Sequence, residues 1–118
     1  MELKELVPPL ELCRLIPKGE FEDSALMWFS NYHFGGWHVE KRELAIAFTD
    51  NGELYPAPTL EEIMATMQFC RVYKKSQGFF IAVKEKDREV SRNGATAALK
   101  LWLKLKEINA QKTSNFEQ

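Results

Sequence analysis

The residues best equipped for chemistry are the two histidines, and both fall in one stretch, "NYHFGGWHVEKREL" at 31–44. His33 and His38 flank the Gly35-Gly36 pair, with Glu40 and Glu43 just downstream. Protein-bound zinc takes four ligands, or three and a water, drawn from Cys, His and carboxylates. Here Cys13 and Cys70 are remote in sequence, so the stretch does not read as a metal centre. A histidine beside a carboxylate can serve as general base, yet that role needs a nucleophile and an oxyanion site, and neither has a signature. No glycine-rich phosphate loop, Gly-x-Ser-x-Gly elbow or His-Glu-x-x-His helix is present. Glu61 and Glu62 are accounted for by helix capping, which leaves no carboxylate pair for catalysis. The expectation is a protein without catalytic residues, metal or cofactor.

Two other constellations point to binding instead. Trp28, Phe29, Tyr32, Phe34 and Trp37 are five aromatics within ten positions. Trp28 and Phe29 read as core. Tyr32, Phe34 and Trp37 sit in or beside the glycine turn, where burying all three is hard, and amphipathic rings on a loop favour a partner surface. Tyr32, Phe34, Trp37 and His38 are thus the candidate partner contacts, carried on an aromatic hairpin tip. The second constellation is "FFIAVKEKDRE" at 79–89. Read as one strand, alternation places Phe80, Ala82, Lys84, Lys86 and Arg88 on one face, and Ile81 and Val83 on the other, followed by Glu85, Asp87 and Glu89. Cations beside a ring make a minimal platform for single-stranded nucleic acid. Arg71, Lys74, Lys75 and Arg92 extend it, and the intervening acids weaken its field.

Those residues need elements to hold them. Pro8-Pro9 suits a helix start, with Leu12, Leu15 and Ile16 at helical spacing before Pro17 and Gly19. "SALMWFS" at 24–30 reads as a strand of continuous bulky residues. In "ELAIAFTDNGELYPAP" at 43–58, Leu44, Ile46 and Phe48 alternate with Ala45 and Ala47, which predicts a strand, an Asn51-Gly52 turn and an extended exit. Thr59 and Glu62 form a capping box ahead of Leu60, Ile63, Met64 and Met67. "CRVYKK" and "GFFIAVKEK" predict two strands joined through Ser76-Gln77-Gly78, and "NGATAALKLWLKLKEIN" a final helix capped by Asn93. Its apolar side chains span about 240° of arc, with Thr96, Lys100, Lys104 and Glu107 in the polar strip. The surplus, including Leu101, Leu105 and Ile108, calls for the first helix or, as alternative, a homodimer contact through 95–108. A faint echo relates "AIAF" at 45–48 to "FIAV" at 80–83, each read as a strand running on to a helix.

With 118 residues, 45% of them hydrophobic and 28% charged, the chain predicts a single α+β domain over 1–110 with a disordered tail at 111–118. The order expected is roughly α-β-β-α-β-β-α, with about three helices on a small, mostly antiparallel sheet. The two cysteines lack Cys-x-x-Cys spacing and read as buried thiols. No apolar run reaches a membrane span and residues 1–20 lack a signal-peptide core, so a cytoplasmic location is expected. The net charge of −1 conceals an asymmetry. Residues 1–70 hold five Lys/Arg against twelve Asp/Glu, and residues 71–118 eleven against five. Such halves satisfy each other internally, stack head to tail, or present a basic face to nucleic acid.

The succession "PPLELCRLIPKGEFEDSALMWF", "YPAPTLEEIMATM", two strands and "NGATAALKLWLKLKE" resembles small uncharacterised proteins carried by phages, prophages and other mobile elements of gut bacteria. In that group a short leading helix precedes a strand, a Pro-Ala-x-[Ser/Thr]-Leu entry opens the middle helix, and a small-residue-rich final helix ends in Leu and Lys. Here the entry is Pro56 to Leu60 and the final helix Ala95 to Glu107. The stretch from about 31 to 45 falls outside the resemblance, as an insertion or variable loop. The resemblance implies an accessory protein of a mobile element and no functional residues. The expectation is a non-enzymatic protein acting through protein–protein contacts at Tyr32, Phe34, Trp37 and His38. The alternative is nucleic-acid binding through Arg71, Lys74, Lys75, Phe80, Lys84, Lys86 and Arg88.

Overall fold

The computed structural model describes residues 2–116, with side chains described through 107. The fold is α+β, and its strands form two separate antiparallel sheets of three rather than one. The two sheets differ in what covers them.

The first sheet has the order β2-β1-β3, from β1 (Leu26–Asn31), β2 (Gly36–Lys41) and β3 (Leu54–Pro56). Its central strand carries the unbroken run Leu26-Met27-Trp28-Phe29, and a run of this kind suits a strand covered on both faces. Both faces are covered. Leu26 joins Val7 and Ala57 in one cluster, with Leu3, Trp28 and Val39 packed against it. Met27 and Phe29 join Ala45 on the other side, with Leu54.

Ala45 lies on α2 (Arg42–Phe48), which corrects the expected strand at 44–48 and with it the internal echo. The alternation of bulky and small residues is real, but alanine, leucine and glutamate are good helix formers. Ala45 has no side chain beyond Cβ, so the helix can lie close on the sheet, and the residue is fully buried. The Thr49 N–H closes the helix on the Ala45 carbonyl at 3.0 Å. Gly52 supplies a positive φ of 75° in the loop that follows, but this turn joins helix to strand and does not form a hairpin.

The leading helix is a single turn, α1 (Leu10–Cys13), entered from Pro9. Beyond Cys13 it tightens, the Leu15 and Ile16 N–H groups reaching only three residues back to Leu12 and Cys13 at 3.0 and 3.2 Å, and Pro17 ends the turn. Leu15 is exposed as a result, while Leu12, Cys13 and Ile16 face inward. α1 touches both β3 and α4 (Gly94–Phe116). The Trp28 indole N–H donates to the Pro8 carbonyl at 3.1 Å, fixing this segment on the first sheet.

The capping box before α3 (Leu60–Ala65) is present as expected. Thr59 Oγ1 accepts from the Glu62 N–H at 3.3 Å, and Glu62 Oε1 accepts from the Thr59 N–H at 2.9 Å. Glu62 also does something local sequence does not reveal. Its Oε2 accepts from the Ala25 N–H at 3.1 Å, tying α3 to the start of β1.

The second sheet has the order β4-β5-β6, from β4 (Arg71–Lys74), β5 (Phe80–Lys84) and β6 (Asp87–Ser91). The expected single strand through 79–89 is therefore a hairpin, turning at Glu85-Lys86 with Glu85 at φ 55°. Asn93 caps α4 as expected, Oδ1 accepting from the Thr96 N–H at 2.9 Å. The buried alanines 95, 97 and 98 lay the helix close on one sheet face, where Ala82 is also fully buried. Part of the wide apolar arc packs within the chain: Leu99 and Leu101 are wholly buried, and Trp102 packs at a tilt against Phe21, 4.9 Å between centroids. Thr96, expected on the polar strip, is buried. The helix runs to Phe116, and the side chains of Ile108 and of the expected tail at 111–118 lie outside the described residues.

Candidate nucleic-acid interface

Strand register decides which side chains of the second sheet share a face. Arg71, Val83 and Arg88 stand opposite one another, as do Tyr73, Ile81 and Val90 two residues on. The ladder continues through Lys75, whose N–H donates to the Phe79 carbonyl at 2.7 Å. Directly opposed residues point the same way and alternate residues return to that face. The face away from α4 is thus a three-by-three grid. Its rows read Arg71–Val83–Arg88, Tyr73–Ile81–Val90 and Lys75–Phe79–Arg92.

Four cations occupy the corners and an apolar cross fills the middle. From strand spacing, the corners stand about 10 Å apart across the sheet and about 13 Å along it. All four corner residues are exposed. Tyr73 and Val90 are 44% and 43% exposed. The Lys75 ammonium lies over the Tyr73 ring at 5.5 Å, and the Arg92 guanidinium over Phe79 at 5.5 Å, so two cations are held against rings on this face. The strands put no carboxylate here. Asp87 and Glu89 fall on the opposite face, where Lys104 of α4 stands 3.8 and 3.9 Å from them.

The grid regroups the residues expected from sequence. Arg71, Lys75 and Arg88 lie on it, whereas Lys74, Phe80 and Lys84 alternate onto the helix-covered face and Lys86 occupies the turn. Tyr73, Phe79, Ile81, Val83 and Val90 complete the grid, and none of them figured as a contact in the sequence reading. The missing signal is the turn at 85–86, which carries no glycine, proline or asparagine. Once a turn is placed there, the parity of Arg88 flips relative to Phe80 and the grid can be read.

The aromatic hairpin divides in the same manner. Asn31, Tyr32 and Phe34 form a tight turn, with Asn31 Oδ1 accepting from the Phe34 N–H at 3.2 Å. Asn31 Nδ2 donates to the Phe48 carbonyl at 2.5 Å, and Asp50 Oδ2 accepts from the Tyr32 N–H at 2.7 Å, so the turn is anchored to the end of α2. Tyr32 is 85% and Phe34 50% exposed. Phe34 meets Phe48 edge-on at 5.6 Å. His38 shares their face, with Nε2 at 2.5 Å from the Phe34 carbonyl. Trp37 does not: it stands opposite Ser30 on the other face, against Tyr55 at 5.8 Å. His33 packs edge-on against Tyr32. Among the described residues no three His, Cys, Asp or Glu side chains gather as a metal site would require, and no helix is long and apolar enough to cross a membrane.

Both thiols are free and buried. Burial pushes Cys13 up to about 12, with a hydrogen bond from Trp28 opposing it. Cys70 is also raised by burial, offset in part by Lys84 and the Val83 backbone. A thiol so raised is a poor nucleophile, because the thiolate is the reactive form.

No protein-family model, no curated protein and no solved structure matches this chain.

Proposed function

We propose that this is a non-enzymatic accessory protein that binds single-stranded nucleic acid on the outer face of its second sheet. The observation that carries the reading is the grid: four exposed cations around an apolar, partly aromatic centre, with no carboxylate contributed by its strands. Cations track phosphate, while rings and flat apolar surface accept unstacked bases, whose stacking is tolerant of sequence. A duplex would meet the corners but leave the apolar cross facing water, so the composition favours a single strand. The resemblance to small mobile-element proteins agrees with an accessory role and does not select the ligand.

The test is anisotropy of labelled 12-nucleotide single strands and the matched duplex across a salt titration. Four phosphate contacts predict a slope of log affinity against log salt near −3, from about −0.7 per contact on single strands. The double variant R71E/R88E should abolish binding at low salt, whereas K100E, on the exposed side of α4, should not. Absence of single-strand binding at low salt, or binding indifferent to R71E/R88E, rejects the reading.

A second reading rests on the hairpin turn. Tyr32, Phe34, Ile46 and Phe48 are all exposed by 40% or more, and rings presented on an anchored turn suit a protein partner. Loss of partner capture by a Tyr32→Ser/Phe34→Ser double variant, with nucleic-acid affinity unchanged, would separate this surface from the grid.

A further inference from the structure

We infer that the cleft between residues 14–22 and β3 is a binding site for a small organic anion carrying an apolar tail or ring. The cleft encloses about 520 Å³, within the range that small-molecule sites occupy. Its floor is apolar, from Met27, Leu54 and Pro56, and Ile16 and Pro17 form its opposite bank. Three cations line it: Arg14, Lys18 and Arg42.

Two of these cations are held in place by groups that leave their charge uncancelled. The Arg14 guanidinium packs on the rings of Trp37 and Tyr55, 5.1 and 5.5 Å from their centroids. Rings hold the guanidinium without neutralising it, and a guanidinium binds planar or tetrahedral oxyanions through its N–H groups. Arg42 donates to the Glu22 carbonyl, which fixes its side chain without supplying a negative partner. Among the described residues no carboxylate lies within ion-pair distance of Arg14, Lys18 or Arg42. Two glutamates share the lining. Glu20 is engaged by Lys106 at 3.1 Å, which leaves Glu22 as the carboxylate opposing three cations.

The recognition chemistry follows directly. The cleft wraps the edge of β3, whose Leu54 and Pro56 share the face of Met27 while Tyr55, beneath Arg14, lies on the other. At that edge a carboxylate or phosphate monoester would meet arginine N–H groups, while its apolar part displaces water from Met27, Leu54 and Pro56. This combination of mostly apolar walls and a few fixed polar groups is what orients a small ligand. The site is independent of the grid, since none of its lining residues belongs to β4, β5 or β6.

Calorimetric titration of the full chain with octanoate, octyl phosphate and octanol tests the inference. One equivalent of an anionic probe should bind at least tenfold more tightly than octanol, and the stronger of the two anions identifies the headgroup class. Arg14→Gln should remove that preference. Lys18→Gln should weaken it in a side chain too exposed to affect folding, so the test survives a poorly folded Arg14 variant. Phe34→Ser and Arg88→Glu should leave the affinity unchanged. Equal binding of octanol and the anions, binding of none, insensitivity to both cleft variants, or loss through Phe34→Ser or Arg88→Glu would each overturn the site.

Discussion

The two sheets have the same strand count and antiparallel pairing, and each has a central strand that is a continuous apolar run. In β1 the run is Leu26 to Phe29, and in β5, with the residue before it, Phe79 to Val83. From sequence the two look alike, since unbroken apolar strands signal cover on both faces. The first sheet has that cover, from α2 on one side and the segment around Val7 on the other. The second has α4 on one side only. The core clusters take in Phe80, Ala82 and Val72 but not Ile81, Val83, Tyr73 or Val90. Ile81, at the centre of the outer face, is buried at 8% exposure, and the flanking Tyr73 and Val90, 44% and 43% exposed, are the apolar surface the proposed ligand would complete.

The largest expected effect sharpens this contrast through stability. Phe29 is 2% exposed between its sheet and α2, so Phe29→Ala should cost about 3–5 kcal/mol in urea unfolding. Tyr73→Ala, in the middle row of the outer face but on the edge strand β4 and 44% exposed, should cost less than about 1 kcal/mol. Equal losses would mean that the second sheet is covered in solution, as by self-association, and concentration-dependent unfolding would then identify the cover. Binding should rank the two residues the other way. Tyr73→Ala should weaken single-strand affinity by about 1–3 kcal/mol, the usual worth of one stacked base, and Phe34→Ala should leave it unchanged.

The buried thiols extend the comparison to pH. Cys13 is raised to about 12, against an ordinary value of 9.0. Between those values the unfolded thiol ionises while the folded one stays neutral, so the unfolded chain binds fewer protons and stability falls as pH rises. The stabilising difference is complete below pH 9 and is lost toward pH 12, by at most about 1.4 kcal/mol per pH unit. Melting of the native chain and Cys13→Ala from pH 8 to pH 10.5 checks this, and the variant should show the shallower decline. A weaker dependence of the same sign is expected from Cys70. If the two profiles superimpose, Cys13 is not held neutral by the packing described.

What was legible in the sequence was what short-range chemistry dictates. The Thr59–Glu62 box, the Asn93 cap and the strand β1 each follow from a few neighbouring residues. The α2 segment reads as a strand because Leu44-Ala45-Ile46-Ala47-Phe48 satisfies a two-residue period as well as a short helix, and the need for a thin residue against Met27 and Phe29 is a tertiary fact. The grid is half legible: its cations stand out in the sequence, but a turn at Glu85-Lys86 without turn-favouring residues conceals which of them share a face. The cleft is not legible in the sequence, because Arg14 and Arg42 line it only once β1 and β2 have folded between them.

The smallest effect tests how the second sheet keeps its acids off the bare face. Lys104 stands near Asp87 and Glu89 with all three side chains partly exposed, and pairs of this kind contribute about 1 kcal/mol or less. Lys104→Met should therefore barely move the unfolding midpoint. Its consequence should lie in electrostatics instead. With Lys104 gone, two carboxylates lose their neighbouring cation on a sheet only one strand layer thick. Their field then reaches the grid from behind, within a Debye length of about 10 Å at 0.1 M salt. Single-strand affinity should fall modestly at low salt and recover toward the native value, relative to it, as salt rises. A uniform loss at every salt concentration would mean that α4 has shifted on the sheet, and the carboxylates' placement would then be a matter of packing and not of charge.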